Sequence, residues 1–161
     1  MGSAIHFVLG GTREMREGSG VGEVDPDEAW DLLAGDKTAR LIDVRTRAEW
    51  SFVGVPDTGE LGQPPILIEW ASFPDMSLNP AFVAEVENAI GSENPGTLLF
   101  LCRSGVRSLQ AAMAVTDHFA RMGKSVTCLN VAEGFEGDVD ASGHRGSQNG
   151  WKARGLAWRQ S

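Results

Sequence analysis

Only two cysteines, Cys102 and Cys128, occur in 161 residues, and their flanking sequences differ. That excludes the disulfide framework of a small secreted scaffold and fits a reducing, cytoplasmic setting. Long apolar runs are missing as well. Ile5-His6-Phe7-Val8-Leu9 is shorter than a signal-peptide core and stops at Gly10-Gly11, and nothing approaches membrane-spanning length. A soluble, untargeted protein with no membrane partner is expected. Basic side chains are scarce, 14 against 22 acidic ones for a formal net charge of -8, so nucleic acid and anionic lipid are repelled and any cationic site must be local. The three histidines, His6, His118 and His144, lie in the lead-in, mid-helix and in a late loop, with no Cys/His spacing that suits a metal. No metal and no cofactor are expected. Internal repeats and low-complexity tracts are absent too.

What is present is a hydrophobic fraction of 42%, enough for one sizeable core and one domain. Residues 1–22 hold six glycines without periodicity and read as a loosely ordered lead-in to a domain spanning 23–161. Asp25, Pro26 and Glu28 have the spacing of a capped helix start, with Trp30, Leu32 and Leu33 as its apolar stripe and Gly35 as its end. A short buried strand over 39–44, a brief helix over 47–52 and a second apolar run, Ile66-Leu67-Ile68, follow. Asn79 and Pro80 predict the cap and first residue of a helix with Phe82, Val83, Val86 and Ile90 on one face and Gly91 as its stop. Beyond it come a continuous apolar strand over 97–102, an amphipathic helix over 108–122 through Leu109, Ala112, Met113, Val115 and Phe119, and a strand over 126–131. Strands alternating with helices predict an α/β fold, a mostly parallel central sheet with helices on both faces. Residues 136–150 predict a long loop, a length that usually accompanies function or mobility, and 151–158 a closing helical turn.

Chemistry concentrates where the apolar strand meets the long helix, because open α/β sheets place ligand sites at the carboxyl ends of their strands. Cys102 stands there, at what reads as a solvent-facing strand end. It is followed by Arg103, Ser104, Gly105, Val106, Arg107 and Ser108. Residues 103–107 can curl so that backbone N–H groups point inward as an anion-binding nest at a helix N-terminus, with Gly105 easing the turn and two arginines adding charge. Such surroundings favour a thiolate, and no histidine base is then required. The suited chemistry is attack on an electrophilic sulfur or phosphorus carried by an oxyanion. A lone strand-end cysteine is ordinarily a small buried apolar residue; two Arg, two Ser and a Gly in the next six positions argue for the reactive reading.

This loop resembles the active-site loop of the rhodanese (thiosulfate sulfurtransferase) family, Cys-Arg-x-Gly-x-Arg-Ser/Thr, at Cys102, Arg103, Gly105, Arg107 and Ser108. Leu41-Ile42-Asp43-Val44-Arg45 followed by Glu49-Trp50 is similar to the family's Asp-x-Arg strand end, and Asn130-Val131-Ala132-Glu133-Gly134-Phe135 to its Asn-x-x-Gly-Gly element. Two departures stand out: Val55-Pro56-Asp57-Thr58-Gly59-Glu60 replaces the usual His-Ile-x-Gly-Ala run, and Glu133 stands where Gly is common. The resemblance implies a single rhodanese-like domain. In it, Cys102 would take sulfur from thiosulfate or another small donor as a persulfide and pass it to cyanide, an acceptor thiol or an acceptor protein. It also weighs against the alternative, a small-anion phosphatase or arsenate reductase, because Cys102 and Arg107 enclose four residues and the related phosphatases enclose one more. A non-catalytic interaction module is the third reading, and it leaves the intact cysteine loop without a task.

Asp43 and Arg45 are supporting candidates, either a site wall or a strand-end ion pair that orients the scaffold. Cys128, between Thr127 and Leu129, reads as a core residue. Of the five tryptophans, Trp70 and Trp151 are expected at the rim and the others in core or cover.

Overall fold

A computed structural model describes the chain at residues 14–15, 20–91 and 96–161. The lead-in expected over 1–22 lies mostly outside the described residues, as does His6. Glu14–Met15 forms β1 and Gly22–Val24 forms β2, beside a fully buried Val21. Helix α1 spans Pro26–Gly35. The Asp25 carboxylate accepts from the Glu28 amide at 2.8 Å while the Glu28 side chain accepts from the Asp25 amide at 2.9 Å, satisfying two donors the helix cannot satisfy itself. After β3 (Arg40–Asp43), Thr46 and Glu49 repeat the device at α2 (Arg47–Phe52).

Short pieces follow: β4 (Val55–Pro56), a 3-10 turn at Gly59–Leu61, β5 (Ile66–Leu67), β6 (Ala71–Ser72) and β7 (Ser77–Leu78). The longer elements are α3 (Phe82–Ile90), β8 (Thr97–Leu101), α4 (Val106–Arg121) and β9 (Thr127–Val131), with β10 (Trp158–Arg159) last. The main sheet has the order β1-β2-β9-β8-β3-β5; β1 is antiparallel at one edge and the other five strands are parallel.

Both faces of this sheet are covered, and the period-two alternation of the strands sorts their side chains between two cores. Ile42, Val44, Leu98, Phe100, Cys102 and Cys128 pack with Phe82, Val86, Ala111, Ala112, Val115 and Phe119 from α3 and α4. Leu41, Leu99, Leu101, Leu129 and Val131 pack on the opposite face with Ala29 and Leu33 of α1, Phe135 and Trp151. The α/β class and the helices on both faces agree with the sequence reading.

Several local expectations need correction. Helix α3 begins at Phe82 rather than at Pro80, because Asn79 spends its side chain on a turn: its Oδ1 accepts from the Ala81 amide and its Nδ2 donates to the Glu69 carbonyl. Met113 lies off the buried stripe of α4, at 42% exposure. The tail after Trp151 is a series of turns ending in β10, which pairs antiparallel with β4, so it is no helical turn. Trp151 itself is fully buried, not at the rim; its ring meets Trp30 edge-on at 5.9 Å and its indole N–H donates to the Ala157 carbonyl. Trp70 is partly buried against the α3/α4 core.

Candidate active site

The apolar strand β8 ends at Leu101, and α4 starts at Val106, two residues earlier than its apolar periodicity suggests. The four residues between them make the turn. Gly105 is the N-cap, with φ +119°, a value that L side chains rarely adopt and glycine reaches freely. Bending there aims backbone donors at one atom: the Gly105 amide lies 3.2 Å and the Ser108 amide 3.3 Å from Cys102 Sγ. Two N–H dipoles and the amino end of a 16-residue helix therefore face the sulfur. Cys102 is only 1% exposed, so the solvent-facing strand end read from the sequence is corrected: the thiol lies under the loop.

The hydroxyl of Ser108 lies 3.1 Å from the same sulfur and donates to Asn130 Oδ1 at 2.6 Å. The Asn130 amide is keyed by its other contacts. Its Nδ2 lies against two pure acceptors, the Glu23 carboxylate at 3.1 Å and the Gly105 carbonyl at 3.2 Å, so its oxygen must face Ser108. With its one proton committed to Asn130, Ser108 accepts from the Cys102 S–H in the neutral thiol.

Arg107 projects from the first turn of α4 onto Glu49 of α2 in a bidentate pair, at 2.8 and 2.9 Å. Burial alone would raise the Glu49 carboxyl, but the Arg107 hydrogen bonds and charge, helped by Thr46, hold it down at about 2. Burial likewise opposes the Arg107 guanidinium, and Glu49 more than compensates, raising it above its ordinary value. The cation that sequence reading aimed at the cradle is thus shared with a carboxylate. Arg103 is exposed and has no ion-pair partner among the described residues.

Arg103 and Arg107 line a cleft of about 920 Å³ over the loop. Glu136, His144 and Arg145 of the long loop line it too, which places beside the arginines a histidine that the sequence left apart. Its other wall is apolar and open, with Phe52 81% and Phe73 66% exposed. The long loop is pinned to the cysteine segment by its backbone: the Phe135 amide donates to the Cys102 carbonyl at 2.8 Å, and those of Glu136 and Gly137 to the Arg103 carbonyl at 3.0 and 3.2 Å. Gly134 makes the approach possible, since a Cβ there would stand 2.5 Å from the Arg103 carbonyl group.

Asp43 and Arg45 form a closed pair under this floor. Both are fully buried, joined through Arg45 Nε at 2.9 Å and Nη2 at 2.6 Å, with the guanidinium 4.3 Å from the centre of the Phe135 ring. Nη2 also reaches the Gly54 carbonyl at 2.8 Å. This pair orients the floor; it does not line the cleft. The departure at position 133 also has a reason. Glu133 adopts φ +71°, and Arg154 offsets that strain by holding its carboxylate at 2.6 and 2.9 Å while reaching Asp27 at 2.8 Å. The hydrogen-bond partners of the sulfur are Gly105 and Ser108, and Ser104 and Val106 are not among them. Among the described residues, no three His, Cys, Asp or Glu side chains group as metal ligands would.

The residues missed by sequence reasoning are Glu49, Asn130, Glu136, His144 and Arg145. Glu49 and Asn130 belong to stretches whose likeness to a known pattern was visible without their roles. The loop residues had only the length of their segment as a signal.

A five-stranded parallel sheet under helices on both faces, with a cysteine cradled between the central strand and its helix, is a rhodanese-like fold. Comparison with known proteins narrows the placement. A crystal structure of Rv0390 from M. tuberculosis matches with a TM-score of 0.74 and 43% identity, covering 86% of this chain and 97% of that one. Uncharacterized protein RC0915 of Rickettsia conorii is 33% identical over 132 residues, covering 82% of this chain and 92% of its own length. The chain belongs to the family of these proteins. A polysulfide-sulfur transferase from Wolinella succinogenes matches at 17% identity and a TM-score of 0.49, covering 86% of this chain and 78% of that one. No protein-family model matches.

Proposed function

We propose that this protein is a cytoplasmic sulfurtransferase that carries sulfane sulfur on Cys102, with thiosulfate as a competent donor. The observation that carries the reading is the convergence of the Gly105 and Ser108 amides on Cys102 Sγ at the start of α4. Donors fixed around one sulfur stabilise negative charge on it before and after transfer, without a base. In the first half-reaction the Cys102 thiolate attacks the outer sulfur of thiosulfate; the new S–S bond forms, the old one breaks, and sulfite leaves with the electron pair. Arg103 draws the dianion into the cleft, and Arg107, held by Glu49, fixes the loop around it. An acceptor nucleophile then takes the outer sulfur and returns Cys102 as the thiolate. Asp43 and Arg45 support the floor without touching substrate.

The four-residue spacing between Cys102 and Arg107 supports sulfur over the larger phosphoryl group, so phosphatase or arsenate reductase activity is the less favoured reading. Intact mass before and after thiosulfate, on wild type and Cys102→Ser, tests the proposal. A one-sulfur adduct that requires Cys102 and disappears with reductant is expected. No adduct with thiosulfate or polysulfide, on a Cys102 that an alkylating agent still modifies, overturns it and sends the search to arylphosphate hydrolysis.

A further inference from the structure

β5 is an edge of the main sheet: it pairs with β3 on one side and, among the described residues, with no strand on the other. The Ile68 amide donates to the Asp43 carbonyl at 3.1 Å, and Asp43 is the register partner of Leu67. In a parallel ladder this turns the N–H and C=O of Leu67 away from β3. The open stretch is short and bounded. Pro64 and Pro65 lack backbone donors before it, and after it the Glu69 carbonyl accepts from Asn79 Nδ2 at 2.8 Å. This edge runs along a cleft of about 580 Å³ that shares no lining residue with the cleft over the Cys102 loop. Helix α2 supplies Arg47 and Trp50 to one wall, and α3 supplies Glu85 and Asn88 to the other. Ile66 and Ile68 pack against the core under α3 and α4, so by strand alternation Leu67, at 41% exposure, and Glu69 face the α2 side.

Charge decides what fits there. Glu69 and Glu85 outnumber Arg47 in the cleft, and the whole chain carries -8, so a basic occupant is favoured. A second copy is disfavoured. Two β5 edges joined about a two-fold axis run antiparallel with each face continuing into its like, which sets every carboxylate near its own counterpart. We propose that the β5 edge docks an extended, basic segment of another protein, which adds to the sheet as a further strand. One residue of that segment lies opposite Leu67 and exchanges two backbone hydrogen bonds with it. Its side chain is apolar and covers Leu67 on the α2 side. The residues before and after it are Lys or Arg and point to the α3 wall, where Glu85 stands.

The probe is the peptide acetyl-Val-Thr-Lys-Val-Lys-Thr-Val-amide, titrated into the full-length, isotope-labelled protein and followed by amide NMR. Saturable shifts are expected at the amides of Leu67 and Glu69 and at the Asn88 side chain, with slowed hydrogen exchange at Leu67. Methylating the central Val nitrogen removes the donor that faces the Leu67 carbonyl and should weaken binding by about tenfold or more. Exchanging both Lys for Glu should abolish binding. Glu85→Gln keeps an acceptor for Asn79 Nδ2 and should weaken the basic probe by about threefold, the size of an exposed ion pair, without changing the affinity of a probe whose Lys are replaced by Thr. Absence of saturable shifts at Leu67 overturns the proposal, as does equal binding by the methylated or the acidic probe. Leu67 shifts that follow protein concentration with no probe present overturn it too, because a second copy then occupies the edge.

Discussion

Cys102 and Cys128 are both about 1% exposed, both lie on the same face of the sheet, and both sit beneath helix α4. Their surroundings nonetheless separate them. Cys102 lies under the first turn, with two amides and a hydroxyl on its sulfur. Cys128 lies further along the helix beside Thr116, whose hydroxyl is already engaged with the Ala112 carbonyl. Burial pushes the Cys128 thiol up to about 12, and contact with Thr116 only partly opposes this. Depth is the same; the supply of donors differs. Whether a buried cysteine beneath α4 meets such donors depends on where along the helix it lies, since only the helix start has unspent N–H groups.

Exchanging the two roles gives the largest effect. Cys102→Ser is expected to abolish sulfur loading while Cys128→Ala leaves it intact, as read by intact mass; loading that survives in the first variant removes Cys102 as the nucleophile. Next in size is labelling: iodoacetamide on the native protein should modify Cys102 at least about a hundredfold faster than Cys128, which reacts only on unfolding. Comparable rates in peptide mapping would erase the distinction between the two thiols.

Alkaline stability gives a subtler separation. Because the folded Cys128 value of about 12 lies above its ordinary 9.0, its contribution is complete below pH 9 and is lost as pH rises through that window, by about 1.4 kcal/mol per pH unit. Urea midpoints between pH 8.5 and 10.5 should therefore fall more steeply in wild type than in Cys128→Ala, and parallel slopes would contradict the assignment. Glu49 works in the opposite direction: held at about 2 from an ordinary 4.5, it stabilises the fold above pH 4.5 and loses that contribution as pH falls through 2. The smallest effect concerns Asn130. Asn130→Ala frees the Ser108 hydroxyl to donate to sulfur, so Cys102 alkylation at neutral pH should accelerate by about two- to fivefold, on the order of half to one hydrogen bond. A slower or unchanged rate, with folding intact by circular dichroism, would mean that Ser108 is not held back by Asn130.

The cysteine contrast also explains what could be read in advance. The order of strands and helices, the two capping boxes and the six-residue Cys102–Arg107 loop are local or periodic, and sequence carries such features directly. Cys128 was legible as core because it stands inside an apolar strand. The Arg107–Glu49 pair joins positions 58 apart and Arg154 reaches Asp27 across 127, so no spacing announces either. Trp151 was misplaced for the same reason: an irregular segment buries a side chain only through contacts that are settled once the whole chain has folded. The bonds from residues 135–137 to the Cys102 and Arg103 carbonyls likewise join stretches that no local pattern links.

Those bonds have a consequence for how the chain tolerates being cut. Three backbone bonds run from residues 135–137 to the carbonyls of Cys102 and Arg103, while Gly134 packs against the same peptide group. The Cys102 loop and the segment that follows β9 therefore form one mechanical part made from two distant stretches of chain. A protease nick among residues 141–143, which are exposed, should leave the halves associated and the sulfur site assembled. A break among residues 135–137 would release those backbone bonds, and with them the shape of the loop that holds the sulfur.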